Sequence, residues 1–289
     1  MNQSAPALAP RDRTTQSATV LRAALTFIRP QAEKPVFHSA ALTGGAPKYF
    51  FETEPHEVAI RDLRPLAGSF SLDREGFVLR DAPTAAGDLY DDDVVVRRYI
   101  PETEALLTRE LGASQVVVFD VTRRSDDGRG AANRDGARGP ASRVHVDYTD
   151  ASGPRRAADV LGPDAFSRLT AAGARVLQVN VWRPIRGPVE RAPLALADAS
   201  SVYPQDLVAT DQVFPSRVGE IYHLAYHPDQ RWYYAPRMTR DEVLLIKGWD
   251  SLNDGRARFT PHSAFNPPQL RADAPTRESI ELRAYAVIG

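Results

Sequence analysis

The chain has 289 residues, 43% hydrophobic and 25% charged, with 36 basic against 37 acidic side chains. That is enough apolar material for a large buried core, and the balanced charge gives no field to recruit a nucleic acid or an anionic membrane. Cysteine is absent, which excludes disulfides, thiolate metal sites and cysteine nucleophiles.

Residues 1–16 are polar and aperiodic and read as a flexible terminus. Residues 18–28 are apolar but interrupted by Arg22, shorter than the ~20 residues of a membrane span, and not followed by a small-residue cleavage site. They read as a short amphipathic helix, and a cytoplasmic protein is expected. From 30 to about 87, strand-like pieces at 58–60 and 76–79 alternate with Pro and Gly breaks, so this part is expected to wrap the core irregularly. The acidic cluster 88–93 reads as a solvated turn. Pro101 opens a helix that runs to Leu111, with Gly112 just past its end. The β-branched run 115–121 has the length of a buried strand. Residues 122–141, rich in Arg, Asp and Gly, read as a long mobile loop of the kind that serves as a lid. A strand at 143–148 and a helix at 164–172, capped by Asp164 and ended by Gly173, follow. Further strands are expected at 175–183, 242–249, 257–262 and 279–287, with a hairpin of 220–226 and 231–235. Strands dominate from about 115. The expected fold is mainly β (α+β), a sandwich or barrel with flanking helices, in a single domain over 17–289.

The chemistry is carried by His, Asp and Arg. In the run Val144-His145-Val146-Asp147-Tyr148, residues two apart on a strand share a face. His145 and Asp147 therefore offer an imidazole nitrogen and a carboxylate oxygen to one metal. His262 stands on another strand-like segment, 115 positions after Asp147. Two histidines and a carboxylate are the ligand set that leaves open positions on ferrous iron. Arg277, 15 positions after His262, and Ser279 open the final strand. They share a face, where a guanidinium fork and a hydroxyl suit a carboxylate. Glu278 should point away and Glu281, on the same face, lies further along the strand, so a diffusible dicarboxylate is the expected partner of Arg277, on a strand beside the one bearing His262. Asn180 and Arg183 are polar residues in an apolar run and need partners, a cosubstrate oxygen being one. His223 and His227 would face together only in a helix, and the alternation around them argues for a strand end rather than a zinc pair. Trp182, Trp232, Tyr233, Tyr234 and Trp249 read as core.

The segments VHVDYT, VNVWRPI, LIKGWDS, TPHSAFNPP and PTRESIELRAY, with AIRDLRPLAGSFSLDREGFVL upstream, resemble a family of ferrous iron and 2-oxoglutarate-dependent oxygenases. That family groups with the cephamycin methoxylation protein and the fungal gibberellin-desaturase-like hydroxylases. The resemblance implies a double-stranded β-helix (jelly-roll, cupin-like) core and Fe(II) bound by His145, Asp147 and His262. It also implies 2-oxoglutarate held by Arg277 with Ser279, and O2 as the oxidant. The reaction implied is hydroxylation, desaturation or cyclisation at a C–H bond of a small metabolite in a biosynthetic pathway. Read from the residues alone, the same ligands would serve zinc or manganese in a non-redox cupin-like isomerase or hydrolase. Such an enzyme would not need Arg277 and Ser279 to face the metal. A metabolite-binding partner subunit is a third reading.

Overall fold

The computed structural model describes residues 19–133 and 136–289, so the stretch expected to be flexible at 1–16 lies outside the described residues. Fifteen strands are formed among the described residues: β1 (Val20–Ile28), β2 (Val36–His38), β3 (Lys48–Tyr49), β4 (Thr53–Asp62), β5 (Phe77–Asp81), β6 (Gln115–Ser125), β7 (His145–Val146), β8 (Arg175–Arg186), β9 (Leu194–Ala197), β10 (Leu207–Phe214), β11 (Arg217–Leu224), β12 (Trp232–Tyr234), β13 (Glu242–Asp250), β14 (His262–Ala264) and β15 (Glu278–Ile288). They make two sheets. The larger runs β1-β4-β12-β9-β14-β7-β11-β10-β2-β3, and the smaller runs β5-β13-β8-β15-β6. Trp182, Leu244 and Ile246 of the small sheet share one apolar cluster with Leu194, Leu196 and Tyr233 of the large sheet. The two inner faces therefore meet as in a jelly roll.

The N-terminal third departs from the sequence expectation. The described part of this segment, residues 19–28, forms no helix; β1 pairs antiparallel with β4 along nine residues. Ala23, Leu25 and Phe27 are buried while Arg22 and Ala24 face out, a period of two that only a half-buried strand satisfies. This part does not wrap the core irregularly either. β1 to β4 lengthen the large sheet at both ends, and β5 extends the small one.

Other boundaries shift for identifiable reasons. Asp91 accepts hydrogen bonds from the backbone of Asp93 and Val94, so the acidic cluster starts a helical turn. A wide turn over Val95–Tyr99 then leads into the helix Ile100–Leu111, whose end Gly112 closes at φ 63°. Two helices, Ser152–Leu161 and Pro163–Ala171, replace the single one expected, and Asp164 sits in the first turn rather than capping it. The segment 220–226 does not pair with 231–235: β11 has both edges taken by β10 and β7, while β12 lies between β4 and β9. Residues 257–261 join no ladder. They bond to turns instead, and Thr260 donates its hydroxyl to the carbonyl of Gly76 at 2.8 Å. Gly76 has φ 85°, and a Cβ there would come within 2.2 Å of that hydroxyl. Thr122, Arg123, Arg124 and Ser125 belong to β6 rather than to a loop. The rest of the expected lid begins at 126, and Ala131 bridges Arg138 across it.

Phe27 is fully buried and packs edge-on to Tyr226, Trp232 and His56, with ring centroids 5.4–5.8 Å away. Phe27→Ala should cost about 3–5 kcal/mol by chemical denaturation, as for other buried rings. Val20→Ala, at a position 52% exposed, should be close to neutral.

Candidate active site

β7 and β14 are neighbours in the large sheet, with His145 directly opposite His262. Their rings lie 4.6 Å apart between centroids. His145 Nδ1 bonds to the carbonyl of Arg143 at 2.8 Å, and His262 Nδ1 to that of Thr260 at 3.0 Å. A carbonyl can only accept, so in both rings Nδ1 carries the proton and Nε2 is the nitrogen that can turn to a metal. Burial, and then the neighbouring His262, push the His145 imidazole down to about 3, so the ring is neutral at physiological pH. Asp147 projects on the same face as His145. The metal-binding atoms of His145, Asp147 and His262 all lie within 4.8 Å of one another.

The carboxylate is held from the opposite sheet. Asn180 of β8 donates to Asp147 Oδ2 at 2.6 Å, and Arg283 of β15 donates to the same oxygen at 3.0 Å. Burial alone would raise the carboxyl's pKa. The Arg283 guanidinium outweighs it, with help from the Asn180 amide, and keeps Asp147 ionised far below the ordinary carboxylate range. Arg283 also donates to Asp120 at 2.6 Å and lies 2.7 Å from Glu281 Oε1, off the hydrogen-bond line. Two imidazoles and one anchored carboxylate fit a divalent first-row metal that leaves positions open.

Two cavities meet at this cluster. A wide one of about 670 Å³, lined by His145, Asp147, Phe119, Tyr148 and the segment 140–143 among others, opens to solvent. A small chamber of about 10 Å³ lies behind it, walled by His262, Trp182, Leu194, Arg124, Glu281 and Arg277. Arg277 is 1% exposed. Its guanidinium donates to Ser279 Oγ at 3.0 and 3.2 Å and to the carbonyl of Ala192 at 2.8 Å, and it lies over the Trp182 ring at 5.2 Å. Ala192 turns that carbonyl inward from a left-handed conformation, φ 43°. Burial, then the Arg124 guanidinium, push Arg277 down to about 9.

Sequence reasoning and structure diverge in places. Arg277 does not stand beside the strand of His262. β15 lies between β8 and β6 in the facing sheet, and the jelly roll brings the two residues together across the core. Glu278 does turn away, towards Arg186 at 3.5 Å. Asn180 binds the candidate ligand Asp147, which is a sufficient partner for its amide. Arg183 is on the other face of β8, where it donates to the Tyr99 hydroxyl at 2.9 Å and to the carbonyl of Arg240. An odd-numbered neighbour of Asn180 and Trp182 cannot share their face, so Arg183 is removed from the candidate cosubstrate residues. Trp182 walls the chamber as well as the core. His223 faces Thr210 at 2.9 Å, and His227 lies near Asp229, so the two do not converge. Arg283, Arg124 and Trp182 were missed. The two-residue alternation from Arg277 through Ser279 and Glu281 to Arg283 was the signal for Arg283.

Two imidazoles and an anchored carboxylate on a jelly roll make a candidate facial-triad site of the non-haem kind. Comparison with known proteins makes this specific. A family model described as an oxidoreductase/YMDC permease-like domain matches residues 25–287; no helix among the described residues is long and apolar enough to cross a membrane. The hydroxylase/desaturase efuI of Hormonema carpetanum is 33% identical, over 93% of this chain and 95% of its own length. The Fe(II)/2-oxoglutarate-dependent dioxygenase nvfI of Aspergillus novofumigatus is 31% identical, over 94% and 99%. A solved structure of the iron and alpha-ketoglutarate-dependent endoperoxidase NvfI superposes with TM-score 0.82 at 29% identity, covering 94% of this chain and 99% of that one. The chain belongs to this family of Fe(II)/2-oxoglutarate-dependent oxygenases.

Because Asn180 and Arg283 orient Asp147, Asn180→Ala should lower metal affinity by about 10–100-fold, the usual effect of removing an outer partner of a ligand. Metal titration of the purified chain measures this, and the circular dichroism spectrum should not change.

Proposed function

We propose that His145, Asp147 and His262 hold Fe(II), and that Arg277 with Ser279 grips the far carboxylate of 2-oxoglutarate. The reaction is oxidation at a C–H bond of a small metabolite in a biosynthetic pathway, with hydroxylation, desaturation and cyclisation as its possible outcomes. The observation that carries the cosubstrate assignment is a buried guanidinium that, among the described residues, bonds only to neutral oxygens. An unmatched buried cation is strongly unfavourable, and a dicarboxylate that enters the same chamber as His262 relieves it. A non-redox cupin has no use for that arrangement.

The metal, once bound with 2-oxoglutarate and O2, supplies the oxidising power for an unactivated C–H bond. The chain supplies position. Arg277 and Ser279 fix one end of the cosubstrate, while Trp182 and Leu194 wall the chamber and keep water out. Arg124 and Arg283 border both cavities. A chamber of about 10 Å³ has room for little more than one water, so the Arg124 side chain must swing aside to admit 2-oxoglutarate, while Arg283 stays on Asp147. The segment 140–143 lines the wide cavity, which supports a lid role for the loop that leads into it. One catalytic domain over 17–289 and a cytoplasmic location complete the reading. The near-cancelling charge of the chain supports a partner list limited to small molecules.

Anaerobic titration with Fe(II) tests the assignment. A weak visible charge-transfer band should appear only with Fe(II) and 2-oxoglutarate together, and His262→Ala should abolish it while the fold persists. Arg277→Lys keeps the charge but loses the planar fork. It should raise the 2-oxoglutarate KM about tenfold or more, roughly 1.4 kcal/mol if KM tracks binding, with iron affinity little changed. Wild-type kinetics in Arg277→Lys would refute the cosubstrate role.

A further inference from the structure

The wide cavity has a chemical character that the oxidation itself does not require. Three arginines at its wall are stacked on aromatic rings of the same wall: Arg143 over Tyr49 at 3.9 Å, Arg217 over Phe214 at 4.7 Å and Arg156 over Phe119 at 5.1 Å. A ring face fixes the plane of a guanidinium and leaves its N–H edges free to donate. None of the three has a carboxylate within ion-pairing distance among the described residues. Elsewhere the chain pairs such groups closely, as in Arg64 with Glu242 at 2.5 Å, Arg80 with Glu110 at 2.6 Å and Arg191 with Asp126 at 2.8 Å.

The acidic residues of the cavity wall do not neutralise them. Asp147 and Asp120 are taken by Arg283, and Glu220 is engaged by Lys34 at 2.6 Å. Asp159 is the remaining carboxylate of the wall. The cavity wall thus combines aromatic rings with oriented, unmatched cations and includes the largely buried His145 and Asp147.

We propose that the substrate is an amphipathic anion. Its apolar body lies against Phe119, Phe214 and Tyr49, and its acidic group is held by Arg143, Arg156 and Arg217. Anchoring the charge at the rim presents the apolar end to the metal-binding face. The inference rests on the oxygenase reading only for which end of the cavity reacts.

The test uses the full chain with Fe(II) and saturating 2-oxoglutarate under anaerobic conditions, and two probes that differ only in charge, 2-naphthoate and methyl 2-naphthoate. By calorimetry at about 20 mM salt, the acid should bind at least about tenfold more tightly than the ester, and this lead should shrink at about 0.5 M salt as screening sets in. In the double variant Arg156→Gln, Arg217→Gln the lead should largely vanish, with ester binding and the visible Fe(II)–2-oxoglutarate band retained. Equal binding of acid and ester by the wild type, or an undiminished lead in the double variant, overturns the proposal. Loss of naphthoate binding once 2-oxoglutarate is saturating also overturns it, by assigning the anion to Arg277 instead. A missing visible band in the wild type is a separate result, which counts against the oxygenase reading and not against the anion site.

Discussion

Asp147 stands on one sheet and Arg283 on the other, and their ion pair makes a site out of two facing surfaces. A carboxylate this deeply placed would protonate if left to its surroundings. Arg283, itself steadied by Asp120 and Glu281, keeps it ionised, and Asn180 completes its hydrogen bonds. The pair is formed only when β7 lies over β8 and β15. The geometry of the candidate metal ligands is therefore a consequence of the sheets closing, and anything that loosens the sandwich loosens the ligand set with it.

Charge matching separates structure from function across the molecule. Lys247 is fully buried, yet its ammonium meets Asp250 at 2.8 Å, Asp73 at 3.0 Å and the carbonyl of Ala257 at 2.8 Å. That network is complete and holds the turn after β13 against the loop before β5. Arg277 is as deeply buried and, among the described residues, its guanidinium bonds only to a hydroxyl and a carbonyl. Two buried cations of the same chain thus have opposite degrees of completion. The incomplete one borders the cavity that His262 also borders. A protein tolerates an uncompensated interior charge when a ligand completes it, and the rim arginines follow the same logic in a more solvated setting.

Local pattern was enough to single out the candidate ligands that the fold gathers. His145 and Asp147 two apart, His262 in its own short strand, and Arg277 with Ser279 two apart were legible because strand periodicity is a property of neighbouring residues. The helix ending at Gly112 was legible for the same reason. Sheet membership was not: 18–28 has the composition of an amphipathic helix, yet its residues Val20–Ile28 form β1 because β4 offers them a partner, while 220–226 loses its expected hairpin because β10 and β7 claim both edges. Only the tertiary structure decided that Arg277 reaches His262 across the core rather than along one sheet, that Arg183 faces away, and that Arg283 and Trp182 belong to the site. Residue spacing determines which side chains share a face, but which faces meet depends on long-range pairing whose energy is spread over the whole sandwich.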